Sequence, residues 1–529
     1  MLFNSYAFIL VFLPITLAGF LIVAKFAGRQ TTLAWLVAAS LIFYSWWNPW
    51  FFFILAGSII VNYTFGFLLH KYSKHKNIIN KFILFIGILL NITLLIYYKY
   101  TDFILNTISG KAFILTNVTL PLAISFFTLQ QVAYLVDCYK NGVCERSPLK
   151  YALFVTFFPQ LIAGPIVHHQ EMMPQFDRTL ADRRAIDHIV IGLSIFAIGL
   201  AKKVLLADSL ASYSDLIFNE AGSGVSLTVA EAWLGALCYT FQLYFDFSGY
   251  SDMAIGLGFM FGIHLPENFR SPYKATSIIS FWRRWHITLS RFLRDYIYIP
   301  LGGNRKGVVM RYVNVMVVMA IGGIWHGAGL TFLFWGVFHG AALVINHGWR
   351  RIKHGFSYMD GPGPRLAARL LTFVVIVVGW VFFRSPSFTT AVSVLTAMFL
   401  GNGISLPVSL GHLVSQIPSM GPLTHALGIR FEGMFHNVDA LFLQYRNIRE
   451  AVPLTLLCFI IAWGMPNTQT LFRRYRPCLL QPLTSPQTPP SRGTAAWRLN
   501  TLSGVWVGFI FVLAFLSLWG NSPFLYFQF

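Results

Sequence analysis

The chain has 529 residues, of which 56% are hydrophobic, 17% aromatic and only 11% charged. A soluble domain carries roughly 25% charged residues, so this composition excludes an ordinary soluble enzyme and points to a polytopic, all-α membrane protein. The net charge of +20, from 39 Lys and Arg against 19 Asp and Glu, would suggest nucleic acid on a soluble protein. On a membrane protein it follows from basic cytoplasmic loops and contact with anionic headgroups, so lipids are expected as partners and nucleic acid is not.

Apolar stretches recur at roughly 5–24, 32–48, 50–70, 82–99, 112–137, 151–168, 187–206, 228–262, 311–346, 367–400, 452–466 and 500–520. Several are too long or too short for one span, which predicts broken or re-entrant helices. No basic residue precedes the first stretch and no small-residue cleavage signal follows it, so it reads as a retained helix. No internal repeat is visible, which weakens an inverted-repeat transporter, and the chain reads as one integral domain over 1–529. Cys138, Cys144, Cys238, Cys458 and Cys478 are scattered without metal-ligand spacing. They read as small apolar fillers rather than a disulfide frame or zinc site, and no metal is expected.

Polar islands interrupt this pattern. Phe158-Pro159-Gln160 through His168-His169 puts proline in a span and predicts a kink; adjacent histidines cannot share a helix face, which weakens a metal site there. In the stretch 242–256, Asp246, Ser248, Tyr250 and Asp252 lie in an otherwise apolar helix and need partners or water. Two readings stand: ion pairs with the arginines of 281–296, or a place in a reacting site. At helical spacing, 281–296 puts Trp282, Trp285, Leu289, Phe292 and Tyr296 on one face and Arg283, Arg284, Arg291 and Arg294 on the others. This fits an amphipathic helix at the membrane interface, while His286, beside the aromatic face, keeps a pocket-facing role open. Leu301-Gly302-Gly303-Asn304-Arg305-Lys306-Gly307 is a tight basic turn without the Walker spacing; it fits either an ordinary cytoplasmic turn or a contact to a diphosphate or headgroup.

The run Val313–Ile345 holds no ionisable side chain other than two histidines, His326 and His339. An ionisable residue inside a membrane segment is a functional-site candidate, and imidazole suits proton transfer near neutral pH. His326, between Trp325 and Gly327, is the prime candidate; His339, thirteen residues on, reads more readily as a core residue.

Charge orients the chain. Lys25 and Arg29 follow the first span, 71–81 is basic, and the loop before the last span carries Arg473, Arg474, Arg476, Arg492 and Arg498 without any acid. Both termini are therefore expected on the outer side, with 401–451 also outside and a flexible proline-rich linker at 481–490 inside. The tail 520–529 then emerges outward with Phe524-Leu525-Tyr526-Phe527-Gln528-Phe529. It fits either an aromatic interfacial anchor or something more specific.

Taken together, the strings Tyr-Phe-Asp-Phe-Ser-Gly-Tyr-Ser-Asp-Met-Ala-Ile-Gly, Phe-Trp-Arg-Arg-Trp-His-Ile-Thr-Leu-Ser, Leu-Gly-Gly-Asn-Arg and Gly-Gly-Ile-Trp-His-Gly resemble the membrane-bound O-acyltransferase family, in the branch of alginate and peptidoglycan O-acetylation proteins. Segments 120–128 and 158–165 match the same branch. The resemblance implies a helical bundle around a transmembrane tunnel, with His326 as the catalytic histidine and His286 as its second histidine. It implies acetyl-CoA as cytoplasmic donor. Trp325, Trp285, Trp282, Asp246, Ser248, Tyr250, Asp252, Asn304, Arg305 and His339 are the accompanying substrate or tunnel candidates. The tail resembles the C-terminal motif of the small partner peptide of teichoic acid D-alanylation, with Tyr526 in the place of the acyl-carrying tyrosine.

The expected function is thus movement of acetyl groups across a bacterial inner membrane for O-acetylation of an exported polysaccharide, completed by an extracytoplasmic SGNH-type acetyltransferase partner. Transfer of D-alanine or another short acyl group is the rival enzyme reading, and a transporter or flippase the rival from another class.

Overall fold

Helices make up most of the described residues, because a backbone in lipid has to satisfy its hydrogen bonds within its own segment. The computed structural model describes residues 1–529 apart from 73–77, 110–118, 143, 179–184, 354–360, 417–423, 425–427, 436–449, 480–496, 519–523 and 526–529. The linker at 481–490 and Tyr526 lie outside the described residues. Among the described residues, seven helices are long and apolar enough to cross a membrane: Ala7–Phe26, Trp50–Lys71, Ile78–Ser109, Ala185–Gly222, Gly307–His326, Leu330–Ile352 and Pro362–Arg384.

In chain order the bundle runs through α1 (Leu13–Phe26), α2 (Gly28–Ser45), α3 (Trp50–Lys71), α4 (Ile78–Leu95), α5 (Thr101–Ser109) and α6 (Ile124–Asn141). Short helices α7 (Pro148–Thr156), α8 (Phe158–Leu161) and α9 (His169–Phe176) precede α10 (Ala185–Ala201), α11 (Asp208–Gly222) and α12 (Val229–Met260). Then come α13 (Ile278–Trp282), α14 (Ile287–Leu293), α15 (Gly307–His326), α16 (Leu330–Lys353), α17 (Pro362–Arg384) and α18 (Phe388–Met398), with Ala451–Gly464 and Thr501–Leu516 near the end. Two-residue parallel pairings join Leu265–Pro266 to Cys478–Leu479 and Ile404–Ser405 to Ile429–Arg430.

The axis of the bundle is α12, started by a capping box between Thr228 and Glu231 and about 48 Å long at 1.5 Å per residue. Every residue from Cys238 to Met260 is buried. Helix α10 lies antiparallel against it on two glycine pairs, Gly192 with Gly256 and Gly199 with Gly249, seven residues apart on each helix. A methyl group at any of the four would lie 2.5–2.7 Å from the facing carbonyl oxygen. The small residues thus let two backbones touch, the usual device where lipid supplies no hydrophobic drive between helices. One end of α12 is tied to the 402–434 segment, through Thr228 to Met434 and Asn402 to Leu227. Beyond the other end, His264 bonds the carbonyl of Arg476. The Tyr6 hydroxyl donates to the Leu518 carbonyl at 3.1 Å, which sets the N-terminal segment beside the end of the last helix.

The structure locates the expected breaks and corrects other expectations. The run 311–346 is two antiparallel helices, broken at Gly327-Ala328-Gly329, with Gly323 and Gly336 allowing close contact between them. The stretch 281–296 is not one amphipathic helix: it breaks between α13 and α14, where His286 sits at φ 42°, in the left-handed region. Stretch 151–168 also breaks, at Phe157, with Pro159 in the first turn of α8. Cys138 and Cys144, expected as fillers, are disulfide-bonded across the turn that ends α6 at Gly142. That left-handed glycine turns the chain back, so residues six apart approach to a Cα–Cα distance of 5.1 Å.

Candidate active site

His326 is the last residue of α15, and the helix stops there because Gly327 is extended. A helix end leaves carbonyls without intrahelical partners, and in an apolar interior these need donors. Two residues supply them. Lys99 Nζ donates to the carbonyls of Trp325 (2.7 Å) and His326 (3.0 Å), and the Tyr100 hydroxyl to that of Ile324 (2.8 Å). Both come from a π-helical turn, Ile96–Tyr100, between α4 and α5. A lysine at a helix C-terminus also complements the negative end of the helix dipole.

The other histidine enters from α14, which His286 caps. Its Nδ1 pairs with Asn268 Oδ1 at 3.0 Å, and the same oxygen accepts from the Thr288 hydroxyl at 3.0 Å. Asn268 Nδ2 donates to Ser251 of α12. Because a carboxamide oxygen only accepts, the pairing holds His286 with its proton on Nδ1 and its lone pair on Nε2. The loop thus fixes both orientation and tautomer, in the manner of an orienting partner for an acid–base group.

The two imidazole centroids are 6.5 Å apart, and both side chains are buried, at 4% exposure for His326 and 1% for His286. Aromatic rings form the walls. Around His326 stand Trp325 (4.9 Å), Trp335 (5.1 Å) and Phe383 (5.2 Å), while Phe247 of α12 meets His286 edge-on at 4.8 Å. His339 lies one ring further out, 5.0 Å from Trp335 and 5.3 Å from Trp282. Trp285 packs behind at a tilt, 4.9 Å from Trp380. Two imidazoles within reach of one reacting group, in a site lined by rings, provide what proton transfer sheltered from water requires.

The sequence candidates therefore separate. His326, His286, Trp325, Trp285, Trp282 and His339 gather in one aromatic nest. Asp246, Ser248, Tyr250 and Asp252 are all buried along α12, and the two carboxylates pair with lysines instead of the arginines of 281–296. Asp246 meets Lys203 at 2.5 Å and Asp252 meets Lys202 at 2.6 Å, while Arg291 pairs with Glu171 and Arg294 with Asp295. The reason is the break at His286, which directs those arginines away from α12. Asn304 and Arg305 lie exposed before the start of α15, at the far end of that helix from His326. Among the described residues no group of three or more His, Cys, Asp or Glu could hold a metal. Lys99, Asn268 and Lys203 were not visible as site residues from sequence; the only available signal was a lysine inside an apolar stretch.

Over 435 residues the chain is 46% identical to the peptidoglycan O-acetyltransferase of Helicobacter pylori, covering 77% of this chain and 81% of that protein. The chain belongs to the membrane-bound O-acyltransferase family. The model of that family matches residues 123–382, which include both histidines and the tryptophans around them. Over 410 residues the chain is 37% identical to the probable alginate O-acetylase AlgI of Pseudomonas aeruginosa, covering 75% of each. The teichoic acid D-alanyltransferase of Bacillus subtilis is 25% identical over 287 residues, 51% of this chain. As a member of this family the protein is a multi-pass membrane acyltransferase.

Proposed function

We propose that the protein is an O-acetyltransferase that takes acetyl from cytoplasmic acetyl-CoA through the inner membrane, for O-acetylation of an exported polysaccharide. The observation that carries this reading is the buried pair His326 and His286, ring-lined and 6.5 Å apart, in a chain whose extensive similarities are to O-acetyltransferases of peptidoglycan and alginate. His326 acts as the general base: it takes the proton of the attacking hydroxyl while oxygen bonds to the thioester carbonyl carbon. The carbon–sulfur bond then breaks, and the proton is returned to the departing thiolate. His286, held by Asn268, orients the reacting groups beside it.

The first acceptor in this scheme is the Tyr526 hydroxyl, at the end of the 520–529 tail. Burial of the neighbouring Phe524 and Leu525 at 1% and 6% exposure supports it, since a mere surface anchor needs no such seat. The tyrosyl ester would pass to an extracytoplasmic SGNH-type partner, which completes transfer to the sugar hydroxyl. The contact between Tyr6 and Leu518 supports the N-terminal segment and the end of the last helix lying on one side, and the basic loops argue that this side is the outer one. D-alanine as cargo is the weaker reading, because similarity to the D-alanyltransferase spans only about half of this chain.

Mass spectrometry of the C-terminal peptide after incubation with labelled acetyl-CoA tests the proposal. Acetyl on Tyr526 in the wild type and none in His326→Ala is the expected result. Transfer that persists unchanged in His326→Ala would overturn it.

A further inference from the structure

Lys202 and Lys203 follow α10 in a second π-helical turn, Lys202–Ala207. Lys203 is 2% exposed and lies between two carboxylates, Asp246 Oδ1 at 2.5 Å and Asp208 Oδ1 at 2.7 Å. Asp246 is the eighteenth residue of α12, about 26 Å along the axis from its start at 1.5 Å per residue. Charges this deep in an apolar bundle are costly and are kept where they do something.

What the pair touches is the end of the chain. Asp246 spends one oxygen on Lys203, and its second, Oδ2, accepts the main-chain N–H of Leu525 at 3.2 Å. The Lys203 ammonium stands 4.9 Å from the centroid of the Phe524 ring, within the range of a cation–π contact. Tyr250, one turn after Asp246, meets Phe524 edge-on at 4.2 Å and is itself stacked on Phe3. Leu525 is buried in the same apolar cluster as Trp335 and Phe383, the rings that touch His326.

We propose that the Lys203–Asp246 pair, with Tyr250, is a docking seat for this chain's own C-terminal tail, reading an aromatic ring followed by a main-chain N–H. The seat rests on the reading of the tail as the acyl carrier and deepens it: holding residues 524 and 525 against α12 would present residue 526 toward the histidine pair. From Leu518, beside Tyr6, to Phe524 is six residues, a reach of at most about 20 Å of extended chain. The ligand class is thus a peptide end with an aromatic–aliphatic step, held by backbone and ring and not by the reacting side chain. A seat of that kind tolerates either a free or an acylated residue 526.

Hydrogen exchange read by mass spectrometry on the full-length protein, in lipid nanodiscs, tests the seat at the Leu525 amide. That amide is expected to exchange at least about tenfold more slowly than in a free peptide of residues 517–529, the scale of one hydrogen bond to a charged acceptor. Asp246→Ala should abolish most of that protection; Lys203 keeps Asp208, so its charge stays paired. Phe524→Ala, at the chain end where it does not unfold the bundle, should expose the same amide. Exchange at the free-peptide rate in the wild type, or protection unchanged in folded Asp246→Ala and Phe524→Ala, would overturn the seat. The mass of the tail in the same samples separates the two ideas. Protection without acetyl on Tyr526 removes the carrier reading alone, and acetyl on Tyr526 with an unprotected amide removes the seat alone.

Discussion

Lys202–Asp252 and Lys203–Asp246 are consecutive lysines paired with carboxylates six residues apart on one helix, yet they are finished differently. Asp252 is closed by fixed side chains, with Thr468 Oγ1 at 2.6 Å and Gln469 Nε2 at 2.7 Å, and Lys202 also donates to Thr468. That pair clamps the 467–476 loop to the bundle. Asp246 is completed by a main-chain N–H from the chain's end. Identical charge chemistry closes on fixed side chains at Asp252, and at Asp246 it leaves one oxygen to the main chain of Leu525, as the proposed seat requires.

The largest expected effect separates this seat from the chemistry beside it. His326→Ala should lower acetyl transfer by about 10²–10⁴-fold, the span attributable to one general base, with both lysine–aspartate pairs and tail protection intact. Loss of tail protection in that variant would show seat and base to be one unit and break the comparison. Asp252→Ala comes next. It leaves the half-buried Lys202 without its carboxylate and opens the Thr468 and Gln469 contacts, which is read as a fall in Tm, while the Leu525 amide stays protected. Asp246→Ala should lower Tm less, since Lys203 retains Asp208.

Gly199→Ala probes the scaffold that both pairs share. Its methyl would meet the Gly249 carbonyl, and the resulting shift should cost about 1–3 kcal/mol and weaken both pairs together. An unchanged Tm would show α10 free to move. The smallest effect concerns a third lysine, the half-buried Lys99, finished by carbonyls instead of carboxylates. Lys99→Met should reduce kcat by about tenfold, or about 1.4 kcal/mol, with KM kept, because the end of α15 loses two of its donors. Lys99→Arg should recover much of it. A loss confined to protein yield would reduce Lys99 to a packing role.

Much of this was legible along the chain. Composition and apolar stretches announced a helical membrane protein, because lipid admits few other backbones. His326 was found as an ionisable group in an apolar run, and the pairing with His286 through the resemblance of the strings around them. Other features were hidden. One apolar run, 311–346, was too long for a single span, but its sequence could not place the break beside the buried His326, since hydropathy is blind to a hairpin whose two arms are equally apolar. The aspartates of α12 invited arginines close in sequence, but the turn at His286 sends those arginines elsewhere.

Sequence by itself thus determined the solvent of the protein, its helical class, its family and the residue types at its centre, because burial in lipid and local spacing act along the chain. Tertiary structure alone decided which charges meet. Lys99, Lys202 and Lys203 all lie in π-helical turns, where the extra residue per turn rotates side chains off the regular helical spacing. Their partners stand from 5 to more than 200 residues away. No periodicity can encode such pairings; they exist only once the helices are packed and each buried charge has taken the nearest group able to satisfy it.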